Sequence, residues 1–396
     1  MARVMKLVDF YAIVYGTSFA KHFYDPMAMG PDGPVPSDNG LEVEVKPIPG
    51  MPAIEALSPF RILIPNVDCV DIEKQPWIAQ ESVLSKAEVM KEFGVEVEED
   101  GIVSNSGVAL ESTAYGKTAN SQRKGVQVYE IWIKACDEFP EGAVIWNTKD
   151  KLLRFLGEWP YTHGEYPFSR RMHIETGRFY GESTITDLIP VQVEYNKSRS
   201  QIIEAKDKMA SPQLLAPKGS IDVKKLTTNP GLVIEYRNGF NPPQPMSLTP
   251  LPSYVIDQVQ MLSREMEDLT SQYEISQGRV PPGVEAATAI SYLLENQDSV
   301  LQDSLRDKET LHEKACRHFL SYVIQFWDGE RIIRVAGRNN NFESFLLKGP
   351  DLKGNMDYRV EVGSATPVAR SAKQAQIMEL VKMNMLPPEI GQIGRA

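Results

Sequence analysis

The chain has few of the residues from which redox, metal and export chemistry are built. Its three cysteines, Cys69, Cys136 and Cys316, lie far apart and without C-x-x-C spacing. Structural disulfides and a thiolate metal cage are therefore not expected, and the three read as small buried hydrophobes in a reducing compartment. No apolar run approaches the roughly 18 residues needed to cross a bilayer. The segment from Met1 into Leu7–Tyr15 has neither a long apolar stretch nor a small-residue cleavage site, so no membrane contact and no export signal are expected. Positive charge is also short: 42 Lys and Arg stand against 53 Asp and Glu, a net charge of −11, with no long basic block. Proteins that grip duplex DNA tightly display a basic face. This one is expected to touch nucleic acid weakly, at local patches, or to serve another partner. Absent too are G-x-x-x-x-G-K-[ST], G-x-S-x-G and H-E-x-x-H, which leaves no phosphate-cradling loop, nucleophile elbow or zinc helix by motif.

What remains is an ordinary globular composition, 42% hydrophobic and 24% charged, long enough for more than one core. The spacing of Val4, Val8, Tyr11 and Tyr15 predicts a helix over about 1–30, interrupted at Gly16, with a loop from Asp25-Pro26 through Gly30–Gly40. Leu41–Lys46 alternates as a half-buried strand does, and Arg61–Pro65 is a second strand candidate. Ser85–Phe93 reads as a short helix ending at Gly94. Val126–Lys134 is the strongest strand in the chain, with Ala143–Trp146 and Leu152–Leu156 pairing nearby. These make a mixed α+β region.

Organisation changes after Gly181. Asp187 can cap a helix with Pro190 in its first turn, running to about Ala210 and stopped by Ser211-Pro212. Gln192–Gln201 leaves that helix little apolar stripe. Residues 212–252 hold eight prolines and read as a compact β-rich insertion with turns at Asn229-Pro-Gly and Asn238-Gly239. A second helix follows over about 253–276, where Val255, Val259, Leu262, Met266, Leu269 and Tyr273 form one narrow heptad seam suited to helix–helix packing. Gly278–Gly283 is a loop. A long helix from Val284 to Trp327, about 65 Å if straight, is expected to kink or break. Arg331–Ala336, Phe345–Leu347 and Tyr358–Val362 read as strands, and Thr366-Pro367 opens a last helix ending before Pro387-Pro388.

The nearest approach to a catalytic constellation is His163-Gly-Glu165 with His173-Ile-Glu175. Two histidines and two carboxylates are ligand types for zinc, and a metal-dependent hydrolase using His163, Glu165, His173 and Glu175 is the alternative reading. Pro167, the Arg170-Arg171 pair and the missing i, i+4 spacing favour a plain loop feeding a strand or helix. His312 and His318 read as solvated or packed residues of the long helix.

Several of these segments are familiar in order and type. His163-Gly-Glu-Tyr-Pro-Phe168, Gly177-Arg-Phe-Tyr-Gly181, and Leu188-Ile-Pro-Val-Gln192 with Asn196 and Ser200 resemble the phage portal protein family. So do Gly278-x-x-Pro-Pro-Gly283-Val284 with the Ala286–Leu294 helix, the early Tyr15–Phe19, and Val128-Tyr-Glu130-x-Trp132. The resemblance implies an α+β portal fold: a mixed wing (1–182 and 330–365), a two-helix stem (183–210 and 253–276), and a small β-rich clip (211–252). It further implies a tunnel loop (277–284), a long helix (285–329), and a short or missing crown beginning in the C-terminal helix (366–396). It implies a structural subunit, not an enzyme, in a closed ring, typically of twelve copies, at one capsid vertex of the virion, assembled in the host cytoplasm. The ring would conduct DNA during packaging and ejection. Its implied partners are its own copies, sliding double-stranded DNA, terminase, head-completion or adaptor proteins, and major capsid and scaffolding proteins; no cofactor and no bound metal are implied. On this reading Arg279, Lys206, Lys208 and Arg264 are the candidate channel contacts to DNA. Lys218, Lys224, Lys225 and Arg237 are candidate docking residues of the clip, and Gln192, Asn196, Arg199, Val259 and Met266 face neighbouring stems. Simple surface charge and ion pairing between subunits are the competing account of the cations. A different virion piece, such as an adaptor or a capsid-associated scaffold, is the other structural alternative.

Overall fold

The computed structural model describes residues 2–36, 43–98, 125–210, 214–222, 233, 235–239, 241–245, 252–271, 287–336 and 342–352. It is a mixed α+β chain whose contacts divide it into two compact units, Met1–Ile185 with Pro282–Ala396, and Thr186–Pro281.

The first unit opens with helix α1 (Ala2–Tyr15), which ends at Gly16. The expected continuation of helix to residue 30 is not there: Thr17–Pro36 is a long strand, β1. The reason lies in its burial. Phe19 faces a cluster with Leu57, Trp132, Tyr166 and Phe179, whereas the adjacent Ala20 faces Met5, Val8 and Leu311. A strand buried on both sides loses the period-two signature that alternation would reveal. Gly16 turns the chain with φ +80, a region that favours glycine, and a Cβ there would meet the Gly181 carbonyl oxygen at 2.4 Å. β1 pairs antiparallel with β2 (Val43–Leu57), and the stretch expected as a loop from residue 25 is the bulged outer part of this hairpin up to residue 36.

After the two-residue β3 (Ile62–Leu63), shorter than expected, come β4 (Trp77–Leu84) and helix α2 (Lys86–Phe93). α2 is closed at its start by a capping box, with Ser85 Oγ accepting from the Glu88 N–H at 3.2 Å and Glu88 accepting from the Ser85 N–H at 2.8 Å. Gly94 ends it at φ 70. β5 (Val126–Ile133), β6 (Ala143–Asn147) and β7 (Leu152–Leu156) complete a five-stranded antiparallel sheet ordered β3-β4-β5-β6-β7. On β5 the even-numbered Val126, Val128 and Trp132 are buried, as branched and aromatic residues on one pleat face should be. β8 (Phe168–Met172) pairs with β1, forming the sheet β2-β1-β8.

Helix α3 (Thr184–Ala210) begins earlier than Asp187. Ser183 is the residue at its mouth: its hydroxyl accepts from the Ile185 N–H at 3.0 Å and donates to the Ile13 carbonyl at 2.6 Å. Pro190 therefore sits inside the helix rather than in its first turn. At 1.5 Å per residue the rod is about 40 Å long. The second unit also holds the small β9–β10 pair (Leu214–Leu215 with Gln244–Pro245), a bridge between Ile221 and Tyr236, and helix α4 (Ser253–Thr270). Asn238-Gly239 is a turn as expected; Asn229-Pro-Gly lies outside the described residues.

Back in the first unit, α5 (Ala287–Phe326) runs 40 residues as one continuous helix, so of the expected kink or break there is no break. β11 (Arg331–Ala336) and β12 (Phe342–Leu347) form a hairpin. The strand expected at 358–362 and the helix after Thr366 lie outside the described residues. The cysteines are free, but Cys136 is exposed and the other two are only half-buried, so none is the buried hydrophobe expected. Among the described residues no helix is long and apolar enough to cross a membrane.

Candidate functional site

The second unit carries most of the residues singled out by sequence. With its start at Thr184, α3 gains Ile185 ahead of Ile189 and Val193, one turn apart each, and all three are exposed, Ile189 and Val193 at 56% and 60%. The helix expected to have little apolar stripe carries three exposed apolar residues on one face, Ile189 and Val193 within its expected span and Ile185 added by the earlier start. Gln192 donates to Asn196 at 2.9 Å along the surface, and Arg199 lies over the Tyr195 ring. On α4, Leu262 is buried while Val255, Val259 and Met266 of the same seam are half-buried. Only Ser198 on α3 and Leu262 on α4 are buried in these two helices.

The candidate cations separate into three groups. Lys208 is tied to Glu204 at 2.8 Å, one helical turn away, and Lys206 lies 3.9 Å from Asp207, both on the exposed surface. Exposed pairs of this kind contribute little to stability. Arg264, Lys218 and Arg237 are exposed, and the Arg237 backbone N–H bonds the Ser220 carbonyl at 3.0 Å. Arg279, Lys224 and Lys225 lie outside the described residues.

The four residues of the hydrolase reading are not brought together. His173 bonds Thr184 and Ser304 at 2.8 and 3.1 Å, and Glu175 is exposed. His163 and Glu165, both half-buried, belong instead to a cluster with the buried His22 of β1 and His318 of α5. Among the described residues no group of three or more His, Cys, Asp or Glu has a metal-holding arrangement. The His163 and His318 rings are stacked 4.2 Å apart and 10° from parallel, and His22 meets His318 edge-on at 5.3 Å. Stacked imidazoles do not aim their nitrogens at one ion.

In this cluster Glu165 accepts from His318 Nε2 at 3.1 Å, and its own N–H donates to His163 Nδ1 at 3.0 Å. The hydrogen bond from His318 holds the Glu165 carboxyl down at about 2, against the opposing effect of burial. Burial, then the neighbouring His318, pushes His163 down to about 3. His318 is lowered chiefly by burial, opposed by its bond to Glu165. Lys314 bridges to Glu73 at 2.6 Å and to the Phe168 carbonyl at 3.0 Å. Sequence reading missed His22, Lys314 and His318 as neighbours of His163 because they lie 141, 151 and 155 positions away and carry no local pattern.

The α+β body is divided in sequence by a second unit, whose two helices hold apolar side chains in solvent. A family model described as Phage P22-like portal protein matches residues 142–394, more than half of the chain. The chain belongs to that family, which is a structural one. The match begins at β6, but the residues before it are integral to the same sheets: β5 pairs with β6, and β1 pairs with β8.

Proposed function

We propose that copies of this chain form a closed ring at one capsid vertex, through which DNA is packaged and ejected. The first unit supplies the wing, α3 and α4 the two-helix stem, and residues 211–252 the clip that docks terminase and later the head-completion proteins. The observation that carries this reading is the exposed Ile185–Ile189–Val193 stripe on a helix of 27 residues. Apolar area left in water is stabilising when a neighbour covers it, by roughly 25 cal/mol per Å². A heterologous contact repeated by rotation closes into a ring.

The charge balance suits a conduit. A ring of subunits each carrying −11 repels DNA overall, so the duplex slides rather than sticks. Lys206, Lys208 and Arg264, with Arg279, are then sparse contacts, and the ion pairs to Glu204 and Asp207 weaken the first two further. Lys218 and Arg237, with Lys224 and Lys225, offer positive charge to an acidic docking partner. Deleting 213–250 and joining the ends by a short Gly/Ser linker tests the division of labour. Rings should persist by electron microscopy while terminase no longer co-sediments with them; loss of the rings themselves contradicts the assignment of stem and clip.

A further inference from the structure

The histidine cluster is not explained by the ring. Three of the chain's five histidines converge on one seam between α5, β1 and the 159–166 segment. Each has one ring nitrogen buried without a hydrogen-bond partner among the described residues: His22 Nδ1, His163 Nε2 and His318 Nδ1. Leaving such atoms unpaired costs stability, so the arrangement is not the cheapest way to fill the seam.

The seam is where α5 is fastened. Tyr322 donates to the His22 carbonyl at 3.0 Å, Gln325 donates to the Pro160 carbonyl at 2.8 Å, and the Thr162 N–H donates to Gln325 at 3.1 Å. Tyr161 packs its ring on Tyr322 at 4.5 Å. We propose that the stacked His163 and His318, with His22 edge-on to His318, form an acid-sensitive latch, which holds the C-terminal part of α5 on the body at neutral pH and releases it as the imidazoles take up protons.

Burial sets the direction, and the charges around the rings modify it. From α5 come Lys314 and Arg317, and from the end of β5 comes Lys134, which reaches Glu73 at 3.3 Å. The carboxylates are Glu165, from the loop, and Glu73, from the 3-10 turn Ile72–Lys74. On β1 the neighbouring Lys21 is committed to Glu130 at 2.6 Å, and β8 contributes the neutral Ser169 hydroxyl, 2.8 Å from His22 Nε2. Arg317 also lies 3.9 Å from Glu313 of α5, so these three cations are already paired with three carboxylates, and a proton placed on any ring adds charge to a largely buried place. A second proton puts two cations in face-to-face contact. Burial, together with these neighbours, lowers all three imidazoles from their ordinary range, His163 to about 3.

The sign follows. Above the ordinary imidazole value of about 6.5 the closed and open forms are both neutral, and the latch is fully closed. Below it the open form binds protons that the closed form refuses, so closure weakens progressively as pH falls toward the lowered values. Glu165, whose carboxyl is lowered too, acts in the same direction, but its contribution is lost only as pH falls through the ordinary carboxylate range and below. Between pH 7.5 and 5.0 only the histidines move. For one imidazole freed on opening, the opening equilibrium then rises about thirtyfold at pH 5.

Hydrogen exchange read by mass spectrometry on the assembled full chain, corrected for the chemical exchange rate at each pH, tests this. Protection over 311–326 should fall by at least about tenfold from pH 7.5 to 5.0, while that of 126–133 on β5 stays nearly level. His163→Phe keeps a ring in the stack but cannot be protonated, and should remove much of the acid response; His318→Phe should do the same. Equal protection of 311–326 at the two pH values overturns the latch, and so does a full acid response in both variants. Where a variant does not fold, exchange of the histidine C2 hydrogens in the unchanged chain decides: protonation of His163 and His318 must coincide with loss of protection, and protonation without opening rejects the proposal.

Discussion

Asp9 shows how single residues tie the ends of this chain together. Its carboxylate accepts from Lys308 of α5 at 2.7 Å and from the buried guanidinium of Arg171 on β8. Three segments separated by up to 299 positions meet on one carboxylate. Arg331 plays a similar part farther along, donating to the Ile48, Pro49 and Gly50 carbonyls while its guanidinium lies over the Trp327 ring. Gly16 is the tightest of these points, since positive φ and the approach of Gly181 both act on it. Gly16→Ala is expected to destabilise the fold by at least about 1–3 kcal/mol, the usual cost of a strained backbone position. Thermal unfolding of the variant beside the parent chain measures it, and an unchanged melting temperature would show that the α1–β1 turn relaxes freely.

Among the elements, those with local chemistry were legible and those shaped by distant neighbours were not. Ser85, Glu88 and Gly94 announce α2 at both ends, and β5 shows its period-two pattern openly. β1 was read as helix and loop because both its faces are covered, by residues from α1 and α5 on one side and from the sheets on the other. The start of α3 was misplaced because Ser183, not Asp187, supplies the cap. The earlier start adds Ile185 to the exposed Ile189 and Val193, which the expected helix already held. Replacing Ile189 and Val193 together by lysine should leave far-UV circular dichroism unchanged, since both side chains stand in solvent, yet shift the assembled protein toward monomers in sedimentation velocity. Intact rings from that double variant would mean that neighbouring subunits meet elsewhere on the helix.

At the scale of the whole molecule, order along the chain was more informative than any motif. A mixed α+β region, two helices around a proline-rich insert, then a long helix and returning strands is visible in the sequence, and Thr186–Pro281 stands as a compact unit of its own. The family match over residues 142–394 is consistent with the resemblance carried by Gly177–Gly181, Leu188–Asn196 and Gly278–Val284. The histidine cluster stayed hidden, because only the folded chain brings positions 22, 163 and 318 to one seam. Among the described residues, Ile189 and Val193 of α3 and Ile256 and Met261 of α4 stand exposed, and in the proposed ring copies of the chain cover them around an axis. Mass photometry of the purified protein, with negative-stain imaging of the same sample, tests this most directly. A closed ring of about twelve copies with a central hole is expected; a well-behaved monomer that persists at high concentration would contradict it.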